Sequence, residues 1–352
     1  MEEETNVIEN VTVQNCKITA FDPMKVTRCK NIFIKGNIIN GNKSCTAIDI
    51  EYTKCFEISG NTINDYGEDE KGYNYEMHSA STLVFLYDTV ATRLSSKAQV
   101  RNNIINVRNR EMVFYLSFNA EINGNTIISE KDLITGIVGN YSITNNYIKC
   151  RYAKDLGGRG NFYLLNNYIE CDDFETKAAT TVIIKNNKII TKRLCGEFYA
   201  NSVFSSNTVS IMMEEGIEYT GNMIQCYECS QCSNNTITFK KSSNNISKYQ
   251  NIIYRKNNTV LFSENNFIDG TSDADATDHE IAAYGMQASA ANSVGSITAI
   301  YNKIDSALVT ESVYASMGAL GMIDSLPRYG SSTRMPTDEK QIYNGAQFYN
   351  TT

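Results

Sequence analysis

The sequence predicts an all-β fold, a parallel β-helix with about 20 to 24 residues per coil, followed by a smaller mixed C-terminal region. Three observations predict it: an asparagine-centred motif recurs at nearly constant intervals, the apolar residues beside it alternate with a period of two, and the regularly placed leucines of leucine-rich repeats are absent. Because 352 residues exceed the usual single core, either two compact domains or a solenoid with an appendage is expected.

The motif consists of an apolar residue, any residue, glycine or asparagine, asparagine, any residue and an apolar residue. One copy runs from Ile34 to Ile39, and a looser copy from Val13 to Ile18 has Cys16 in the asparagine position. Successive asparagine positions are separated by 21, 24, 42, 22, 21, 21, 20 and 20 residues. They fall at residues 16, 37, 61, 103, 125, 146, 167, 187 and 207.

Two stretches depart from this interval. The 42 residues between Asn61 and Asn103 are interpreted as two coils, with an inserted polar loop at residues 65–79 and an irregular strand at Ser81–Tyr87. Beyond Asn207 the motif recurs after 15 and then 13 residues, which predicts shortened or misregistered coils. These later asparagine positions are Asn222 and Asn235, followed by looser copies at Asn257-Asn258 and Asn265-Asn266.

The residue types of the motif suit a corner between two stacked strands. Glycine or asparagine before the central asparagine can adopt the left-handed backbone of a sharp corner. The flanking apolar residues point inward and pack on their counterparts one coil away, at about 4.8 Å. An inward asparagine can hydrogen-bond to its equivalents in the neighbouring coils, so repetition satisfies a buried amide. About twelve or thirteen coils over residues 1–270 would form a rod of about 60 Å.

Asparagine-marked corners in coils of slightly more than twenty residues resemble the right-handed β-helix superfamily, which includes pectate-lyase-like enzymes and phage tailspikes. The resemblance alone implies the right-handed sense. It also implies that polysaccharide is bound or cut along the side of the rod or between subunits, usually with paired carboxylates.

Residues 271–352 differ in composition, because serine and alanine replace the asparagine corners. Apolar residues at helical spacing between Ile297 and Leu308 predict one short amphipathic helix. The acidic stretch Asp273–His279 is interpreted as a solvated linker. A Ca²⁺ site is the alternative, but the stretch lacks the glycine and terminal glutamate of an EF-hand loop.

The segments Ser331–Thr337 and Gly345–Thr352 resemble a C-terminal segment of phage tail fibres and tailspikes, notably from phages that infect Bacteroidetes. That segment has an Arg-Pro-Thr stretch, then glycine, two residues, an aromatic pair and Asp-Thr-Thr. Here Met335 separates arginine from proline, and Asn350 replaces the aspartate. The resemblance implies a C-terminal trimerisation or attachment region, a homotrimer, and partners among the other virion tail proteins.

Composition limits the partners and the location. The net charge of −7 and the pI near 5.1 argue against nucleic acid, and an anionic glycan would need local basic residues. No apolar run approaches the length of a bilayer span, so no membrane insertion is expected. The acidic N-terminus lacks the features of a secretory signal, which favours synthesis in the host cytoplasm and a final location in the virion tail.

The ten cysteines do not predict a disulfide framework or a metal site. Cys150 and Cys171 are one repeat apart, which indicates stacked, buried thiols. Three cysteines between Cys226 and Cys232 have the spacing of zinc ligands, but no histidine or second cysteine pair lies near them. No metal and no other cofactor is therefore expected.

The candidate site consists of six side chains in consecutive coils. Two carboxylates lie twelve residues before the asparagine of their coil and a third lies ten before it, so we expect an outward acidic column with neighbours about 5 Å apart. Polysaccharide cleavage needs a proton donor and a base or nucleophile at a defined distance. The predicted catalytic residues are Asp155, Glu175 and Glu197, and the predicted substrate-binding residues are Tyr152, Arg159 and Tyr199.

Two interpretations of these carboxylates stay open. They act in catalysis, or they are ordinary solvated residues on the outer faces of strands. Val113 and Ile134 occupy the same column in other coils and favour the second interpretation. Asp49 and Glu51 form a second candidate pair.

The leading hypothesis is a phage tail fibre or tailspike subunit that recognises a host cell-surface glycan. The alternatives are a polysaccharide depolymerase on the same β-helix, either a glycoside hydrolase or a lyase, and a structural shaft without a ligand. Binding is favoured over catalysis because no calcium-binding carboxylate cluster of the pectate-lyase type is evident. In addition, neither His78 nor His279 has a serine or cysteine partner in a recognisable motif.

Overall fold

The structure is a computed structural model, and the part of the chain that it describes is mostly β, with two long parallel sheets of many strands. This architecture is consistent with a parallel β-helix. The described residues are 8–20, 24–27, 29–42, 47–51, 53, 55–66, 81–86, 97–108, 111–116, 119–137, 140–154, 160–177, 181–199, 201–227, 230–255, 261–288, 299–319 and 323.

Sheet A contains twelve strands, and each pairs in parallel with the next strand of this sheet along the chain. Inward and outward residues alternate, as in Cys55–Ser59, where Phe56 and Ile58 are buried. The strands are Ile8–Gln14, Cys29–Lys35, Cys55–Ser59, Lys97–Arg101, Asn119–Asn123, Tyr141–Thr144, Phe162–Leu165, Val182–Lys185, Val203–Ser205, Gln231–Ser233, Leu261–Ser263 and Ala299–Ile300.

Sheet B contains 21 strands in two parallel runs, which the long strands Tyr168–Lys177 and Lys188–Phe198 join. A coil therefore contributes up to three strands. The other strands of run 1 are Lys17–Ala20, Ile38–Asn42, Thr62–Tyr66, Ile104–Val107, Thr126–Ser129, Tyr147–Lys149, Thr208–Met213, Thr236–Lys241, Asn266–Asp269 and Lys303–Ile304. The other strands of run 2 are Lys25–Thr27, Ile48–Glu51, Ser81–Leu86, Glu111–Leu116, Asp132–Ile137, Tyr152–Lys154, Asn222–Cys226, Tyr249–Arg255 and Ala282–Ala288.

The predicted file of inward asparagines forms at the corner between sheet A and run 1. The side-chain amide of Asn146 donates to Oδ1 of Asn167 at 3.0 Å, and the same oxygen accepts the backbone N–H of Asn146 at 2.9 Å. The amide of Asn146 also donates to the Ile122 carbonyl at 3.0 Å. The buried asparagines of the file are Asn37, Asn61, Asn103, Asn125, Asn146, Asn167, Asn187, Asn207, Asn235, Asn265 and Asn302.

The residue before each of these asparagines has a left-handed backbone. Gly124 has a φ of +67°, which favours glycine, and a Cβ there would lie 2.5 Å from Oδ1 of Asn102, so a larger residue would have to displace the Asn102 amide. Ser206, Glu264 and Tyr301 adopt φ values of 55° to 57° at the same position. The asparagine bonds therefore hold a conformation that these side chains do not favour.

Directly after each corner, apolar side chains stack in the core. Ile127, Ile148 and Ile169 are in register on neighbouring strands, and each is at most 1% exposed. Burying one such side chain stabilises the fold by roughly 2 kcal/mol. A slip by one residue would turn this stack outward, so the register is strongly specified.

The prediction of two coils between Asn61 and Asn103 is wrong. The side-chain amide of Asn61 donates directly to Oδ1 of Asn103 at 3.0 Å, and the flanking strands pair with each other, so the 42 residues form one coil. The irregular strand is confirmed as Ser81–Leu86, because its pairing in run 2 shifts register. Apart from residues 65 and 66, the polar loop predicted at residues 65–79 lies outside the described residues.

The prediction of shortened coils after Asn207 is also wrong. The amide of Asn207 donates to Oδ1 of Asn235 at 3.0 Å, so this coil lengthens to 28 residues. Asn222 is not part of the file and begins a strand of run 2. The next position belongs to Asn265 and not Asn266, since the amide of Asn235 donates to Oδ1 of Asn265 at 2.9 Å.

Both sheets continue past residue 270, where the boundary between the two regions was predicted. Ala282–Ala288 pairs with Tyr249–Arg255 in sheet B, and Ala299–Ile300 pairs with Leu261–Ser263 in sheet A. The boundary drawn at residue 270 therefore lies before the last paired strands of both sheets.

The helix predicted between Ile297 and Leu308 is wrong. Asn302 closes a further corner there, and its Oδ1 accepts from the amide of Asn265 at 3.0 Å. Ile300 and Ile304 therefore belong to two short strands and not to one helical face, and Ile297 lies outside the described residues. A 3-10 turn at Ser306–Leu308 leads into the helix, which lies at Glu311–Ala319.

The stretch Asp273–His279 is bound to its surroundings and is not a free linker. His279 Nδ1 lies 2.5 Å from Asp269 Oδ2, and Nε2 lies 3.0 Å from Asp273 Oδ1. Both nitrogens can donate only in the protonated ring, and the hydrogen bond to Asp269 raises the pKa of His279. Lys248 Nζ forms an ion pair with Asp278 at 3.1 Å at the end of the same stretch.

Several predicted features lie outside the described residues. These are the looser motif copy at Asn257-Asn258, His78, and the C-terminal segments that resemble phage fibres. The predicted trimerisation or attachment role of residues 271–352 therefore stays a prediction. Within the described ranges, no helix has the length and hydropathy of a membrane span.

Replacing Asn146 by leucine should lower the free energy of unfolding by roughly 3 kcal/mol, because the buried N–H of Asn125 and the Ile122 carbonyl both lose a partner. Chemical denaturation followed by circular dichroism measures the loss. Asn106→Leu is the matched control: Asn106 is half-buried on the outer side and donates to Asn64, so its loss should cost under about 1 kcal/mol. Equal losses in both variants would contradict a special role for the inward file.

The His279 contacts should make stability depend on pH. The folded-state pKa is raised above the ordinary value of 6.5, so this stabilisation is fully present below about pH 6.5 and is lost as the pH rises through the folded-state pKa. We expect His279→Gln to lower the melting temperature in mildly acidic buffer and to lower it less in alkaline buffer. Asp275→Asn, which changes an exposed acid of the same stretch, should lack this dependence. A pH-independent effect of His279→Gln would refute the mechanism.

Candidate functional site

The candidate site lies on the outer side of run 2, where Tyr168–Lys177, Lys188–Phe198 and Asn222–Cys226 are neighbours. Leu194 and Phe198 are buried in the core, so the residues that alternate with them face outward. We name this surface the Arg193 face. It consists of Asp173, Glu175, Arg193, Glu197, Tyr199, Gln225 and Tyr227.

Strand register separates the two predicted glutamates. Glu175 is opposite Cys195, whereas Glu197 is opposite Lys177 on one side and Gln225 on the other. The single acidic column is therefore not formed. An offset of two residues between neighbouring strands places the Cα atoms of the glutamates about 8 Å apart.

The other predicted residues divide between the site and undescribed parts of the chain. Asp155 and Arg159 lie outside the described residues, as do the side chains of Asp49 and Glu51. Tyr152 is opposite Asp173, beside the Arg193 face, and the Arg151 guanidinium lies 4.7 Å from the centre of its ring. Tyr199 belongs to the face itself. The roles assigned to these residues stay predictions.

An arginine holds the most buried carboxylate of the face. Arg193 donates to both oxygens of Asp173, with Nε–Oδ1 at 3.1 Å and Nη2–Oδ2 at 2.7 Å. Asp173 is only 7% exposed, and this two-point bond raises the pKa of Arg193. Glu175 lies farther away, with Oε2 at 3.9 Å from Nη2. The guanidinium therefore neutralises one carboxylate and lies within range of a second.

Two tyrosines stack at the other end of the face. The ring centres of Tyr199 and Tyr227 are 4.2 Å apart, and their planes differ by 6°. The Tyr199 hydroxyl donates to Oε2 of Glu197 at 3.0 Å, and Gln225 Nε2 donates to the Tyr227 hydroxyl at 2.6 Å. Burial raises the pKa of Tyr199, and hydrogen bonds with Tyr227 and Glu197 raise it further, so the phenol stays neutral. The result is an aromatic surface with polar groups along its edge.

The prediction of buried thiols at Cys150 and Cys171 is confirmed. Cys150 and Cys171 are buried, and the hydrogen bond with Cys171 together with burial raises the pKa of the Cys150 thiol. Burial raises the pKa of Cys226 to about 12 and also raises that of Cys232, which opposes the thiolate form that zinc needs. Cys229 lies outside the described residues. Elsewhere in the described chain, no group of three metal-ligating side chains forms.

The sequence did contain a sign of the Arg193–Asp173 pair. The two residues are 20 positions apart, which is the coil interval in this part of the chain. Their pairing was missed because the alternation of inward and outward residues changes phase within the strand Tyr168–Lys177, where the consecutive residues Asp173 and Phe174 are both buried. A strict period of two therefore does not show that Asp173 lies on the outer side. Gln225 and Tyr227 lie within the lengthened coil between Asn207 and Asn235, where the regular interval no longer indicates which residues are neighbours.

No protein-family model, curated protein or solved structure matches the chain. A function therefore has to be argued from the side chains and from the resemblances in the sequence. On the Arg193 face, the described side chains offer an aromatic surface, amide and hydroxyl groups, and carboxylates that already have hydrogen-bonding partners.

Arg193→Met should destabilise the fold by roughly 2 to 3 kcal/mol, because the buried Asp173 would lose its counter-ion. Thermal and chemical denaturation measure the change. The matched control is Lys192→Met, which removes a neighbouring cation that bonds two more exposed acids, Asp172 and Glu214, and should cost under about 1 kcal/mol. Adding Asp173→Leu to Arg193→Met should recover part of the stability. No recovery would contradict the explanation by an unpaired charge.

Proposed function

We propose that the chain forms a right-handed parallel β-helix and serves as a subunit of a phage tail fibre or tailspike that recognises a host cell-surface glycan. The asparagine corners and the C-terminal segments that resemble such fibres support the proposal, as do the three parallel strand runs. On the same resemblance, we propose a homotrimer that is made in the host cytoplasm and joins other tail proteins in the virion.

The observation that carries glycan recognition is the Tyr199–Tyr227 stack with its polar edge. A sugar ring has an apolar C–H face and a rim of hydroxyls, so it fits an aromatic surface bordered by hydrogen-bonding groups. Glu197 and Gln225 provide that border, since each bonds a phenol oxygen of the stack. The two rings directly follow paired strands, which limits the entropy lost on binding.

Binding is favoured over cleavage on this face because two of its three carboxylates accept hydrogen bonds from neighbouring side chains, whereas Glu175 has the Arg193 guanidinium at 3.9 Å. A glycoside hydrolase needs a carboxylic acid and a second carboxylate on either side of the scissile bond. Asp173 is bonded at both oxygens by Arg193, and Glu197 accepts from Tyr199. These bonds suit residues that orient a binding surface.

The test is incubation of the purified full-length chain with capsular polysaccharide from a susceptible host. We expect calorimetry to detect binding, size-exclusion chromatography to detect no shortening, and Tyr199→Leu to weaken the affinity roughly tenfold. Tyr163→Leu, on the outer side of sheet A, is the matched control and should bind normally. Shortened chains with new reducing ends would replace this proposal by a depolymerase. Neither binding nor cleavage would overturn it in favour of a structural shaft.

A further inference from the structure

A second outward surface lies on run 1, at the opposite ends of the same long strands. Its central residues Tyr147, Tyr168 and Lys188 each follow an inward asparagine and are in register on three consecutive coils. Because the preceding asparagine points into the core, the next residue points outward. We name this surface the Tyr168 array. It consists of Asn145, Tyr147 and Lys149, then Asn166, Tyr168 and Glu170, then Asn186 and Lys188.

The three central side chains of the array form a continuous ridge. The rings of Tyr147 and Tyr168 stack with centres 5.3 Å apart and planes that differ by 14°. The ammonium nitrogen of Lys188 lies 5.2 Å from the centre of the Tyr168 ring. Tyr147 is 38% exposed, and Lys188 is also exposed. The ridge therefore presents the outer edges of two stacked rings, the second of them half-buried, followed by a cation.

The ridge has polar groups on both sides. On one side, the corner residues Asn145, Asn166 and Asn186 are exposed in three successive coils. On the other side, Lys149 Nζ and Glu170 Oε1 form an ion pair at 2.5 Å. This pair cancels its own charge, so it contributes hydrogen-bonding groups without a net field.

Lys188 contacts an aromatic ring instead of an acid. No described carboxylate lies within ion-pair distance of Lys188, in contrast to Lys149 and Lys192. The array thus carries a positive charge in a chain whose net charge is −7. A local cation on a protein of net negative charge favours a negatively charged group at that point.

We propose that the Tyr168 array binds an acidic oligosaccharide, with sugar rings along the exposed edges of Tyr147 and Tyr168 and a uronate carboxylate at Lys188. The exposed asparagine amides hydrogen-bond to the sugar hydroxyls. The inference rests on the proposed function in that both require a glycan ligand, but it uses different residues and names the charge class.

The experiment measures calorimetric binding of the full-length chain to uronate hexasaccharides from alginate, pectin and hyaluronan, each beside its carboxyl-reduced neutral form. We expect at least one uronate to bind more tightly than its neutral form. Lys188→Gln should weaken binding of that uronate roughly fivefold and leave the neutral form unchanged. Tyr168→Leu should weaken both forms roughly tenfold. Salt should weaken uronate binding selectively, because an exposed ion pair is screened.

Controls separate the failure of this inference from failure of the proposed function. Lys185→Gln changes an exposed lysine of sheet A and should bind normally, and unchanged melting temperatures should show that all variants fold. Neutral glycan binding that depends on Tyr199 but not on Tyr168 would overturn the array and leave the proposed function standing. Uronate binding that is insensitive to Lys188 would also overturn the array. Absence of all glycan binding would overturn both.

Discussion

The hydrogen bond from one buried asparagine to the next is the interaction on which the structure depends. From Asn61 onward, each Oδ1 of the file accepts two donors from the preceding coil, the side-chain amide and the backbone N–H, so one atom fixes both the position and the direction of the corner. The amide nitrogen donates to the next asparagine and to a backbone carbonyl, so both polar atoms of the buried amide have hydrogen-bonding partners. The same bonds hold left-handed backbone at Glu264 and Tyr301, residues that rarely adopt it alone.

Register at the corner is strict, whereas the length of a coil is free. The chain between successive asparagines of the file ranges from 20 residues at Asn167 to 42 at Asn61, yet the strands on both sides of each corner pair in the same way. Loop closure costs little for added residues, so insertions away from the corner leave the core unchanged. Surface loops and outward side chains can therefore vary while the stacked isoleucines stay in place.

This separation explains how much the sequence alone could predict. The motif located the file from Asn37 to Asn207, because its residue types are dictated by the corner. Counting intervals failed at Asn103 and Asn235, since a coil of variable length does not preserve the count. The outer surface was harder to predict: Glu175 and Glu197 were recognised as outward, but the phase change at Asp173 and the stack on Tyr227 arise only from strand pairing.

The strand pairing that builds the core also sets the spacing of the side chains on the outer faces. In-register strands hold outward side chains at about 4.8 Å intervals along the axis, which brings Tyr147 and Tyr168 close enough to stack without any contact selected for that purpose. Stacked rings and paired ions on such strands have few alternative conformations to lose when a ligand binds. A repeated corner thus produces extended, preorganised surfaces, and the identity of the outward residue in each coil decides their charge and chemistry. Lys188 occupies the position that Tyr147 and Tyr168 occupy in the two preceding coils, and it adds a positive charge to the aromatic ridge.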